Sequence, residues 1–428
     1  MQFSAYSDYK NSGVDWLGEV PKHWQVIPSK FYFLERGEKA EADDRQLTAS
    51  QKYGIVYQDD YMADKGRVMT VIKNPEILKK VKPLDFVISM RSFQGGLELS
   101  YKEGSISSAY VMLKPNLNYI DTEFFKYLFK TTRYIQALQS TSNLIRDGQA
   151  LRFNNFSQIK LILPPIKEQN QIADFLDNET AKIDNLIAKQ EQLIVLLEEQ
   201  RKSVISHAVT KGLDPNAPMK DNGVEWLGEV PSHWQDYSYQ HLFKKKEIIN
   251  QTQEQLLSVY LDRGVIPYAE GGGLVHKPAD SLEKYQLVDI DDFVMNNQQA
   301  WRGSVGISAY RGIVSPAYLI FSINKDLASS KFLKYLLKDK SIVEQFMLAS
   351  MSVGTIQRQI KWHLLKNLHI NLPPINEQNQ IAQFLDKETA KIDGLIQKQQ
   401  ELITQLKEYR TSVISHAVTG KIDVRKLV

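Results

Sequence analysis

The 428-residue chain contains no cysteine. That absence excludes disulfide frameworks, thiolate nucleophiles and cysteine-ligated zinc or iron–sulfur centres. No apolar run approaches the roughly 20 residues a membrane-spanning helix needs, and the opening MQFSAYSDYKNSG lacks the apolar core of a secretion signal. A soluble, cytoplasmic protein is expected. Neither charge sign dominates: 53 basic against 50 acidic residues leave a net +3, so bulk electrostatics does not mark a nucleic-acid binder. Catalytic signatures are missing as well. There is no G-x-x-x-x-G-K-[ST] phosphate loop, no G-x-G-x-x-G turn and no H-E-x-x-H metal helix. No asparagine or aspartate precedes a Pro-Pro-aromatic triplet, the amino-methyltransferase signature: both Pro-Pro pairs lie between leucine and isoleucine. What is present, 43% hydrophobic residues over this length, suffices for two or three packed domains.

The organising feature is an internal repeat. VDWLGEVPKHWQ at 14–25 returns as VEWLGEVPSHWQ at 224–235, identical at ten of twelve positions. A longer block, 163–211, matches 372–420 at 36 of 49 positions. Between these blocks the likeness is faint but in register: Asp85-Phe86-Val87 with Asp292-Phe293-Val294, Ala109-Tyr110 with Ala317-Tyr318, and FFKYLFK at 124–130 with FLKYLLK at 332–338. One unit of about 209 residues is written twice, with one fold and different surfaces.

The repeated block reads as a long helix. Proline is excluded from helix interiors, so helices are predicted to start after Pro164-Pro165 and Pro373-Pro374, and Gly212 and Gly420 to stop them. Leu176, Ile183, Gln190, Leu197 and Val204 recur every seven residues, with Ile172, Leu186, Leu193 and His207 interleaved. The second copy repeats the seam through Leu385, Ile392, Gln399, Leu406 and Val413, with Ile381, Leu395 and Leu402 between them. A seam this narrow needs a helical partner, and the other copy is the obvious one. Antiparallel pairing is favoured, because it gives a duplicated chain an approximate two-fold axis. At 1.5 Å per residue, roughly 42 residues make a rod of about 63 Å.

The expected fold class is α+β: two mixed α/β domains joined and separated by two long antiparallel coiled-coil helices with pseudo-two-fold symmetry. The predicted divisions are a first domain at 1–160, a first helix at 161–212, a linker at 213–223, a second domain at 224–371, and a second helix with tail at 372–428. Within the domains, strands are expected at 86–89 and 317–321 and amphipathic helices at 122–138 and 330–348.

Loops after the central strands carry the side chains that pair with base edges. In the first domain these are Arg91, Ser92, Phe93 and Gln94; in the second, Asn296, Asn297, Gln298, Gln299, Trp301 and Arg302. Local basic clusters could add phosphate contacts: Arg146, Gln149 and Arg152; Lys244, Lys245 and Lys246; Arg358, Gln359 and Lys361. Each cluster reads equally well as a solvated face. Clustering is compatible with the near-neutral total, because residues 1–160 hold 22 basic and 18 acidic residues while 161–220 hold 7 and 9. Of the histidines, His23 and His233 are repeat mates, as are His207 and His416, and the latter pair falls on the seam, where a hydrogen-bonded structural role is expected. Trp16-Leu17 and Trp226-Leu227 read as hydrophobic plugs against the rod. No residue is assigned as catalytic or metal-binding.

Two near-identical segments carrying LPPI-x-EQ-x-QIA-x-FLD-x-ETAKID-x-LI and SVISHAVT, each half opening on WLGEVP-x-HWQ, closely resemble the DNA-specificity subunits of type I restriction-modification systems. The resemblance covers essentially the whole chain, in the order target-recognition domain, helix, target-recognition domain, helix. It implies a non-catalytic subunit that reads an asymmetric, bipartite sequence of double-stranded DNA with an unspecified spacer. It also implies two modification subunits that use S-adenosylmethionine to methylate adenine, and two restriction subunits that need ATP and Mg²⁺ to cut unmethylated DNA in phage defence. Two other classes stay open on the residues alone. One is a structural adaptor whose coiled coil joins two proteins. The other is an enzyme with an active site in YAEGGGLVHKP at 268–278, where Glu270 and His276 could do acid–base work.

Overall fold

The computed structural model describes residues 3–65, 77–89, 92–141, 151–222, 228–261, 263–271, 278–353, 357–425 and 427. It consists of two compact units, residues 1–191 with 400–428, and residues 192–399. Each unit therefore takes one globular segment together with parts of both long helices.

In the first unit an antiparallel sheet of β1 (Phe33–Glu35), β2 (Phe86–Ile88), β3 (Glu98–Leu99) and β4 (Val111–Pro115) has the order β1-β4-β2-β3. Side chains alternate between faces along a strand. Phe86, Ile88 and Leu113 enter a core shared with the helices Thr122–Leu128 and Thr132–Ser140, whereas Val87 and Met112 meet Leu47, Ile55, Val81 and Ile106 beneath two strand pairs on the other face. Both faces are covered, which is why β2 reads as an unbroken apolar run. The second unit repeats this with β5 (Phe243–Lys246), β6 (Phe293–Asn296), β7 (Val305–Ile307) and β8 (Tyr318–Ile323) in the order β5-β8-β6-β7. There Phe293, Met295 and Phe321 face the helices, and Val294 and Ile320 the strand pairs.

The helices expected at 122–138 and 330–348 are each broken in two. Thr131 caps Thr132–Ser140 by accepting from the Tyr134 N–H at 3.4 Å, and Asp339 caps Lys340–Leu348 by accepting from the Ser341 N–H at 3.0 Å. A capping side chain competes with continuation of the helix, so these residues restart it.

The long helices run Ile166–Lys211, 46 residues, and Ile375–Val418, 44 residues. Gly212 and Gly420 end them with φ of 78° and 73°, conformations that cost glycine little. A Cβ at Gly420 would lie 2.4 Å from Pro21, so its stop is also a close approach.

Within each unit the paired helical stretches run antiparallel: in the first, Val413 and Ala417 share a core with Ile172 and Leu176 while Arg410 reaches Asp184, and in the second Ala208 shares a core with Ile381 and Leu385 while Arg201 reaches Asp393. Arg410 hydrogen-bonds Asp184 at 2.8 Å in the first unit, and in the second Arg201 Nε lies 3.0 Å from Asp393 Oδ1, an ion pair without hydrogen-bond geometry. Both are the same pair of repeat mates. The seam itself differs from expectation in its companion positions. Leu176, Ile183, Leu197, Leu385, Ile392 and Val413 are buried and Val204 and Leu406 half-buried, but Leu186, Leu193, Leu395 and Leu402 are 46%, 39%, 39% and 38% exposed. The inward companions lie one residue further on, at Thr180, Ile187, Ile194, Arg201 and Ala208, and at Thr389, Ile396, Ile403, Arg410 and Ala417. His207 and His416 are accordingly exposed, with His416 Nδ1 3.3 Å from Ser412 Oγ.

Candidate nucleic-acid interface

The repeated motifs explain one another once folded. In the first unit the buried carboxylate of Glu168, from the LPPI-x-EQ start of the helix, bonds His23 Nε2 at 2.8 Å and accepts from Trp24 Nε1 at 3.0 Å and from the Tyr6 hydroxyl. Glu377 binds His233 and Trp234 in the same way at 2.7 and 3.1 Å. The neighbouring glutamines, fully buried, accept from the Asp121 N–H (Gln169, 2.9 Å) and the Ser329 N–H (Gln378, 2.8 Å). The motifs thus lock a globular segment to a helix start. Leu17 is fully buried in the same core, and Trp16 packs edge-on against Tyr134 of the short helix Thr132–Ser140, with ring centroids 5.9 Å apart, a contact with the globular segment. Trp226-Leu227 lies outside the described residues.

On this framework the second unit brings two predicted clusters together. After β6 the chain turns through Asn296–Gln299 into the short helical turn Ala300–Arg302, which Gly303 closes with φ of 96°. Trp301 anchors that turn: its ring is half-buried against the core and Nε1 donates to the Gln298 carbonyl at 3.0 Å. The Asn297 carbonyl accepts the Ile360 N–H at 3.2 Å, tying the turn to the hairpin formed by Ser350–Val353 and Gln357–Ile360. Arg358, Gln359 and Lys361 therefore lie beside the 296–302 turn. Gln298, Gln299 and Arg302 are exposed, and the Arg302 guanidinium sits 4.7 Å from the centre of the Trp301 ring. Asn297 Oδ1 and Arg358 Nε are shielded from solvent with no partner among the described residues. Buried polar atoms are ordinarily satisfied, and exceptions mark places where a partner is missing. Asn296 is spent locally: its Oδ1 accepts from the Gln298 N–H at 3.2 Å.

The corresponding place in the first unit is the helical turn Ser92–Gly95 between β2 and β3. Ser92 is buried and accepts from the Ser89 N–H at 2.8 Å, so it shapes the turn, while Gln94 is exposed. A Cβ at Gly96 would lie 2.1 Å from the Phe129 carbonyl oxygen; this glycine serves internal packing. Arg152 is exposed at the start of Phe153–Ser157. Arg91, Arg146, Gln149 and the Phe93 side chain lie outside the described residues.

The lysine run belongs elsewhere. Lys244 and Lys245 are exposed on β5, and Lys245 pairs with Glu247. Lys246 is held by Asp289 and by Asp292, the latter at 2.7 Å, and its hydrogen bond keeps the Asp289 carboxyl below the ordinary range. The first unit uses Arg36 at the mate position, bonded to Asp85 at 2.6 and 2.9 Å. Each cation neutralises a buried aspartate at the start of a central strand, a role the three consecutive lysines concealed. Glu270 is exposed, its backbone carbonyl accepting from Arg263 at 3.1 Å, and His276 lies outside the described residues. Among the described residues there is no cluster of three or more potential metal ligands and no helix long and apolar enough to cross a membrane.

Compared with known proteins, residues 48–195 and 231–405 match the type I restriction modification DNA specificity domain. The chain is 27% identical over 430 residues to the type I restriction enzyme MjaVIII specificity subunit of Methanocaldococcus jannaschii, covering 95% of each. It is 22% identical over 455 residues to the EcoKI specificity subunit of Escherichia coli K12, covering 95% of this chain and 90% of that one. Its fold is similar to the crystal structure of the HsdS subunit from Thermoanaerobacter tengcongensis, with a TM-score of 0.59 and 14% identity over 94% of this chain and 98% of that one. It is similar too, with a TM-score of 0.66 and 14% identity over 94% and 99%, to a chain from work on complex assembly and conformational transition of the type I R-M system.

Proposed function

The chain belongs to the type I restriction-modification DNA specificity family, and from that premise we propose that it reads an asymmetric, bipartite DNA sequence, one half-site per unit, across an unspecified spacer. The observation that carries this reading is the pairing of one framework with two different tips. The sheet order is the same in both units, yet the turn after the central strand is Ser92–Gly95 in one and Asn296–Arg302 in the other. Unlike half-sites need unlike readers on like scaffolds. In the second unit Gln298, Gln299 and Arg302 are exposed for base or phosphate contact.

The chemistry is delegated. Two modification subunits carrying S-adenosylmethionine methylate adenine, and two restriction subunits using ATP and Mg²⁺ cleave unmethylated DNA. The repeated exposed leucines, Leu186 and Leu193 with mates Leu395 and Leu402, support two equivalent docking surfaces for the modification subunits. The test is methylation-site sequencing of cells expressing the complete system. Gln298→Ala combined with Arg302→Ala relaxes one half of the methylated sequence, by roughly 5- to 150-fold per lost base contact, and leaves the other half intact. Equal change in both halves refutes the assignment.

A further inference from the structure

The first unit holds a cleft of about 1020 Å³ between its globular segment and the second long helix. Six cations line it, against the two carboxylates of Glu98 and Glu408. Three of the six are committed: Lys130 to Glu98, Lys126 to Glu123, and Arg410 to Asp184 at 2.8 Å. The other three, Lys52, Arg133 and Lys407, are exposed and have no carboxylate partner among the described residues. They come from three separate elements: the turn after Leu47–Ser50, the first turn of Thr132–Ser140, and the second long helix. Hydroxyls of Thr132, Thr411 and Ser412 line the same space.

Unpaired cations converging from separate elements on one concave, hydroxyl-lined surface suit the oxygens of a phosphodiester backbone, which accept from several donors at once. The repeat sharpens the point. Lys407 stands where the first helix has Glu198, and Arg133 where the second unit has Ser341. Thr132 and Thr411 run the other way, with Lys340 and Lys202 as their mates, but Asp262 and Asp339 stand where the first unit has Lys52 and Thr131, so the positive excess remains larger in the first unit.

We propose that this cleft is a one-sided phosphate clamp, in which Lys52, Arg133 and Lys407 grip the DNA backbone irrespective of base sequence. The proposal rests on the DNA-reading function above. It adds that non-specific affinity is supplied unequally by the two halves of the chain.

The test is fluorescence anisotropy of the full chain on a duplex of about 40 base pairs with random sequence, at NaCl from about 0.05 to 0.3 M. Arg133→Gln with Lys407→Gln weakens binding at least tenfold at the lower salt and makes the log–log salt slope shallower by about two, since each lost phosphate contact removes about 0.9. Arg133→Lys with Lys407→Arg keeps both charges and retains the slope, which separates charge from folding damage. Wild-type binding with an unchanged slope in the Gln double variant overturns the clamp while leaving the DNA-reading function standing. A wild-type chain that fails to bind the random duplex at all overturns the clamp, and methylation-site sequencing with the complete system then decides the DNA-reading function by itself. Unchanged DNA binding accompanied by loss of a co-purifying polypeptide makes the cleft a protein-docking site, and the proposal is then wrong.

Discussion

Replacing Glu168 by alanine tests how the repeated motifs hold the fold. Glu168 is 4% exposed and accepts from three donors, two of which, the Tyr6 hydroxyl and Trp24 Nε1, belong to buried residues. Alanine orphans both, and each unsatisfied buried donor costs about 1–3 kcal/mol, for about 2–6 kcal/mol in all. His23 is 42% exposed and turns to water, adding nothing measurable. Glu168→Gln keeps an amide oxygen facing both buried donors and loses only charge assistance, about 1–2 kcal/mol. The mate offers an internal control. Glu377 is 25% exposed by side chain and satisfies one buried donor, Trp234 Nε1, because the chain has Asn216 where Tyr6 would recur. Glu377→Ala is therefore worth about half as much, about 1–3 kcal/mol. Native-state hydrogen exchange of peptides covering 9–24 and 219–234 reads each site within its own unit. Equal losses for Glu168→Ala and Glu168→Gln refute the reasoning, as does a Glu377→Ala variant that costs as much as Glu168→Ala.

Lys246→Ala leaves the buried Asp292 carboxylate without its cation and destabilises the second unit by about 3–5 kcal/mol; Lys246→Arg, the first unit's own solution at Arg36, restores most of it, and urea titration of the two variants decides. The Asp289 carboxyl is held below its ordinary value by Lys246, so its contribution is complete above the unfolded value near 4 and is lost as pH falls through the lower folded one. Wild type then loses stability on acidification below about pH 4 more steeply than Asp289→Asn, and parallel urea midpoints across that range contradict the prediction. Inserting seven residues into the first long helix keeps the phase of its seam, so it changes the spacer between the methylated half-sites and leaves both half-site sequences intact; an unchanged spacer argues that the helices are no ruler.

Much of the architecture was legible because the chain states it twice. Pro164-Pro165 and Gly212 bracket the first long helix to within a residue or two, and the faint register of Asp85-Phe86-Val87 with Asp292-Phe293-Val294 locates the central strand of both sheets. The candidate site was less so. Lysines 244–246 look alike in sequence, and only folding places Asp289 and Asp292 against the third. Asn297 and Arg358 stand 61 positions apart, and a backbone bond from Ile360 to Asn297 makes their segments neighbours. Lys52, Arg133 and Lys407 belong to no cluster at all. Comparing repeat mates would have drawn attention to two of them, because a glutamate at 198 against a lysine at 407 is a charge reversal inside an otherwise matched block.

The seam shows why a pattern can be right in period and wrong in phase. Adjacent apolar pairs, Leu186-Ile187, Leu193-Ile194, Leu395-Ile396 and Leu402-Ile403, give each helix two stripes about 100° apart, and both share Leu176, Ile183 and their successors. Apolarity alone favours the leucines, since the other stripe passes through Thr180, Arg201, Thr389 and Arg410. The threonines satisfy themselves locally and the arginines face carboxylates across the helix pair. Thr180 and Thr389 return their hydroxyls to the carbonyls of Leu176 and Leu385 at 2.7 and 2.6 Å, Arg410 hydrogen-bonds Asp184 on the facing helix, and Arg201 is ion-paired with Asp393 there. Once those bonds are made the isoleucine stripe packs inward, and the leucine stripe is left to solvent. A duplicated chain that keeps an exposed leucine stripe in both copies, while its internal seam is filled by other residues, carries two surfaces that its own fold does not use. That supports the proposal that one polypeptide holds two identical partners.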